Sequence, residues 1–121
     1  MDYKDIIYHR IGLLEQTTSE HLKKYEDLND EDDKLVVFHI MVCKAELKAF
    51  QHAHKAISES KEIMVDGRDK LVRLLFVSNK YRIENLNDTD KHAKFTGMCN
   101  GFAMVLATFH VSPTRPDLVP F

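Results

Sequence analysis

FTGMCNGFAMVLATFHV, residues 95–111, is the most apolar long segment of the chain. At helical spacing Phe95, Phe102, Leu106 and Phe109 form one large apolar stripe, and Ala93, Gly97 and Gly101 form a second stripe of small residues. The segment therefore offers two packing faces. Two glycines inside a helix cost roughly 1 kcal/mol each relative to alanine, so close approach of another backbone must offset them. The apolar core of the segment, residues 98–111, is about 14 positions long, whereas a membrane span needs about 20. A buried helix is predicted, and no membrane anchor.

Working outward, proline occurs only at 113, 116 and 120, and glycine only at 12, 67, 97 and 101. So few breakers before residue 112 predict long helices joined by short turns. In residues 2–28, Ile7, Ile11, Leu14, Thr18, Leu22, Tyr25 and Leu28 recur at steps of three and four, which predicts a first amphipathic helix. Gly12 and the run Thr17-Thr18-Ser19 weaken its middle and predict a kink or break. A second helix is expected over 31–62, with Val36, Ile40, Cys43, Leu47, Phe50, His54 and Ile57 in a four-three seam and Asn29 or Asp30 as its cap. Val65-Asp66-Gly67 reads as a turn, with Gly67 able to take the left-handed position or to open the next helix. A third helix follows over 68–86, its seam being Val72, Phe76, Ile83 and Leu86, interrupted by Asn79. Residues 87–90 then cap the helix that ends near Val111.

The expected architecture is an all-α bundle of four long amphipathic helices with antiparallel neighbours. Residues 1–111 form a single domain, and 112–121 an extended proline-containing tail able to dock or fray. Apolar seams over three heptads and the extra glycine face exceed the needs of one small bundle, so a homo-oligomer is expected.

The net charge of −2 is uneven: residues 1–64 carry 9 Lys/Arg against 13 Asp/Glu, and residues 65–121 carry 8 against 6. Neither half is basic enough for a DNA-reading surface, and no helix-turn-helix turn or dense recognition helix occurs. Acids crowd residues 26–33, but the calcium-loop spacing with its central glycine and closing glutamate is missing; a solvated turn feeding a helix N-terminus accounts for them. The N-terminal MDYKDIIYHR has acids where a secretory leader would have a basic lead. A cytoplasmic setting with reduced Cys43 and Cys99 is expected.

Catalytic signatures are missing: no GxSxG elbow, P-loop, GxGxxG after a strand, HExxH or Glu-x-x-His pair. His39 with Cys43, and His92 with Cys99, lie on common helix faces, yet no CxxC or HxxxH spacing supports zinc. The chain is read as non-enzymatic, with no metal and no cofactor. The ligand-facing candidate is the basic stretch of the third helix. Lys70, Arg73 and Lys80 share one side, Arg82 adds charge, and Tyr81 offers a ring for stacking, a set suited to phosphates and a base.

Residues 90–113, DKHAKFTGMCNGFAMVLATFHVSP, resemble the last helix of small phage counter-defence sponges that sequester cyclic oligonucleotide messengers. In that family an Asp-led helix carries a Gly-Phe-Met-x-Leu-like core and a proline terminator; Asp90, Gly101, Phe102, Met104, Leu106 and Pro113 lie on that pattern. The resemblance implies an all-helical oligomer without catalytic activity, acting in the host cytoplasm. It would bind a phosphate-containing messenger, a cyclic nucleotide, between protomers. Two other readings are an inhibitor of a host protein, working through the acidic turn 26–33 or the tail, and a helical scaffold or assembly protein.

Overall fold

The computed structural model describes residues 3–109. Four α-helices follow one another: α1 (Tyr3–Asp27), α2 (Lys34–Ser58), α3 (Arg68–Glu84) and α4 (Thr89–Ala107), with a π-helical turn (Ile63–Gly67) leading into α3. The described residues hold no strand, and the architecture is an all-α four-helix bundle. The predicted extended tail lies outside the described residues. So does the expected end of the domain at residue 111.

At the centre α4 lies along α2; α1 flanks the pair on the α2 side and α3 on the α4 side. The glycine edge read from the sequence makes this central contact. A Cβ at Gly97 would collide with the Val42 carbonyl oxygen and the Ala45 methyl, and one at Gly101 with the Ala49 methyl and the Glu46 backbone. The helix that must come close is therefore α2 of the same chain. On α2 it presents Val42, Ala45, Ala49, Ala53 and Ala56, all buried. This alanine face is a second side of α2, distinct from the four-three seam, and small side chains gave it little weight in the apolar pattern.

Gly97 meets Ala45 and Gly101 meets Ala49, so α2 and α4 run parallel. Sequential neighbours are antiparallel as expected, but the closest pair is not, because α3 returns the chain to the end where α2 began. The apolar core gathers where α1 starts and α2 ends: Ile7, Ile11, Phe50, Ile57, Leu71, Phe102 and Val105 are almost fully buried. At the opposite end rings stack instead. Tyr25 lies on His39 with centroids 4.9 Å apart, Phe38 reaches His92 at 6.4 Å, and Tyr81 lies on Phe95 at 5.2 Å.

Several boundaries differ from the sequence expectation. The α2 cap is Asp33, whose carboxylate accepts from the Leu35 and Val36 amides at 2.9 and 3.4 Å. Asn29 takes the left-handed conformation at φ 49° and closes α1; an asparagine doing this is a stop signal for one helix and no longer a start for the next. Asp30 supports the cap by accepting from the Asp33 amide at 3.2 Å. α2 ends at Ser58, four residues early, where the Ser60 hydroxyl donates to the Ala56 carbonyl at 2.6 Å. Of the two roles open to Gly67 it takes the second: right-handed at φ −64°, it opens α3 as its N-cap residue and packs under Ser60 and Ile63. α1 is continuous through Gly12 and Thr17–Ser19, and the expected break does not occur.

The largest departure concerns α3. Its predicted seam faces outward: Val72 is 39 % exposed, Phe76 76 %, Ile83 53 % and Leu86 59 %. Leu71 and Ser78 are buried on the inner side, with Leu74 and Leu75 partly buried beside them. Among the described residues no helix is long and apolar enough to cross a membrane.

Candidate functional site

A shallow groove of about 370 Å³ runs between the last two turns of α2 and the first half of α3. Its floor is Ala56 and Leu74, edged by the half-exposed Val77, and its rim carries His52, Lys55 and Glu59 from the end of α2 with Lys70 and Arg73 from α3. An adjoining recess of about 230 Å³ at the π-helical turn adds Lys61, Asp66 and Asp69, and shares Glu59, Lys70 and Arg73. The pattern follows from helical geometry. Lys70, Arg73, Leu74 and Val77 fall at steps of three and four on the α3 side turned towards α2, as do His52, Lys55, Ala56 and Glu59 on α2.

Of the five residues singled out by sequence, the structure brings Lys70 and Arg73 together and leaves Lys80, Tyr81 and Arg82 elsewhere. Lys80 is ten residues beyond Lys70, about 15 Å along the helix axis. Lys80 is exposed and lines neither recess. Tyr81 is engaged with Phe95. Arg82 donates from Nε and Nη2 to the Asn79 Oδ1 at 3.0 and 2.9 Å, and its positive charge acts on the Cys99 thiol. The sequence reading missed His52 and Lys55. Their shared face with Ala56 and Glu59 was legible as a helical stripe, but its meeting with α3 depends on the turn at residues 59–67.

Cys43 and Cys99 are both free. Burial pushes both thiols up from their ordinary value, Glu46 adding to the rise at Cys43 and Arg82 opposing it at Cys99. Each is thus held in the protonated, poorly nucleophilic form at neutral pH. The histidines once weighed with them have other contacts: His39 stacks on Tyr25, and His92 Nδ1 lies 3.3 Å from the Arg82 carbonyl oxygen. Among the described residues no three His, Cys, Asp or Glu side chains gather into a metal-holding set.

The acidic turn is exposed throughout, and Leu28 and Leu35 stand out from it at 61 % and 64 % exposure. Beyond capping α2, its carboxylates frame a recess of about 250 Å³ with Tyr25, Val37, Ile40 and Lys44. In comparisons with protein families, curated proteins and solved structures, none matches this chain.

Proposed function

We propose that this chain is a non-enzymatic binding protein that captures a small phosphate-bearing molecule, a cyclic nucleotide signal, in the groove between α2 and α3. One observation carries the reading: Lys55, Lys70 and Arg73, with His52 and a single carboxylate, Glu59, converge from two helices around an apolar floor. Such a floor accepts the flat face of a base or a ribose, while the rim cations take phosphate oxygens, with arginine able to bind two at once. The openness of the groove suits sequestration, which needs affinity but no chemistry or water exclusion. The likeness of residues 90–113 to counter-defence sponges supports the same class of ligand, and with it a phage protein acting in the host cell.

Thermal stabilisation against cyclic dinucleotides, cyclic trinucleotides and cyclic ADP-ribose isomers tests the reading. A ligand that raises the melting temperature of the wild-type chain should lose that effect with Arg73→Ala or Lys55→Ala. If none of these molecules shifts the transition, the groove is not a nucleotide site. A second reading, an inhibitor that binds a host protein, is supported by Leu28 and Leu35 exposed among carboxylates, an arrangement that fits a basic protein surface with an apolar centre. Pull-down separates the two: reversing the charge of Asp30, Glu31 and Asp32 should abolish capture only if the acidic turn is the binding surface.

A further inference from the structure

The outward face of α3 carries the strongest unexplained order in the molecule. Asp69, Val72, Phe76, Asn79 and Ile83 follow a three-four repeat that Leu86 continues in the turn after the helix, and every one of them is exposed. A seam of this kind is how a helix pairs with a second helix. Phe76, the centre of the seam, is 76 % exposed, more than any other large apolar residue of the described chain.

We infer that α3 pairs with α3 of a second copy of this chain, antiparallel about a two-fold axis between Val72 and Phe76. The register follows from matching like with like. Opposite directions place Phe76 against Val72 of the second copy, Ile83 against the exposed Val65, and the polar Asn79 against the polar Asp69. Parallel pairing would instead set Asp69 against Asp69 at the seam, an unfavourable contact between like charges.

The polar layer of the seam agrees with the antiparallel arrangement. Asn79 Oδ1 already accepts from Arg82, so its amide N–H groups remain to donate to the arriving Asp69 carboxylate, with the Arg82 guanidinium beside it. On the adjacent flank Lys80 of one copy faces Asp66 of the other on either side of the axis, and at the axis the two Arg73 side chains come together and must turn outward to water. A single polar layer of this type fixes direction and register at some cost in affinity. Because Asp66 lines the recess beside Lys70 and Arg73, the pairing brings Lys80 of the second copy to the rim from which it is separated within one chain. It does not rest on the ligand reading, since the apolar seam and its polar layer are formed without a ligand.

Size-exclusion chromatography with light scattering on the full chain at micromolar concentration should give a dimer. Phe76→Glu should give a monomer that still unfolds cooperatively, with a melting temperature that no longer rises with protein concentration as that of the wild-type dimer does, because the ring makes little contact within the chain. A wild-type monomer overturns the pairing, and so does a Phe76→Glu variant that remains a dimer. Direction is read by oxidative cross-linking in a background lacking Cys43 and Cys99. An equimolar mixture of Val72→Cys and Phe76→Cys chains should form the mixed disulfide, whereas efficient self-linking of Phe76→Cys would overturn the antiparallel register.

Discussion

At Gly97 the α4 backbone rests on the Val42 carbonyl and the Ala45 methyl, leaving no room for a side chain. At Gly12 a Cβ would meet nothing within 4 Å. The same substitution should therefore have opposite signs. Gly97→Ala should destabilise by about 1–3 kcal/mol through overpacking, and Gly12→Ala should stabilise by about 0.4–1 kcal/mol through lower unfolded-state entropy, both read by denaturant melts. Glu46 makes a second residue-scale prediction. Burial raises its carboxyl above the ordinary value, so the folded chain keeps this proton to higher pH than the unfolded chain. Stability from this group is present at acid pH and is lost as pH rises through the raised folded value. Glu46→Gln should thus raise the melting temperature at neutral pH and leave it unchanged in acid. A variant that melts like the wild type at both pH values would contradict the desolvation argument.

At the scale of elements, α3 shows what periodicity can and cannot say. Val72, Phe76, Ile83 and Leu86 do mark an amphipathic helix, and its range was legible to within two residues at its end. A hydrophobic stripe records that something covers it; it does not record whether the cover lies in the same chain. The inner side of α3 is held by Leu71, Leu74, Leu75 and Ser78, no more apolar than the outer one, so composition could not choose. Truncation decides it: Phe102→Ala in the core should cost about 3–5 kcal/mol, and Phe76→Ala should stay within about 0.5 kcal/mol when measured on dilute protein. The glycine edge of α4 was legible because the cost of helical glycine demands a close neighbour. Its partner was harder to see, since alanines at 45, 49 and 53 read as ordinary helix formers. For the groove, Lys70 and Arg73 were legible as a face of α3. Their union with His52 and Lys55 depends on where α2 stops, and Ser58 is set by local hydrogen bonds rather than by apolar spacing.

In the molecule as a whole the two ends differ in kind. One end is closed by Ile7, Phe50, Ile57, Leu71 and Phe102; the other is joined by half-buried rings and imidazoles. Native-state hydrogen exchange should be slowest for the amides of Ala49–Ile57 and Gly101–Val105, and faster near Tyr25, Phe38 and Phe95; uniform protection along α2 would contradict this polarity. The contact at Gly97 and Gly101 also bears on motion. Where Gly97 and Gly101 rest on Ala45 and Ala49 there is no rotatable side chain to adopt a second arrangement, so at this contact the two helices have one packing and should travel as one rigid beam. Freedom to adjust is left to the elements fastened by longer side chains. One of these is α3, which forms one wall of the groove and would widen or narrow it by rocking against the beam.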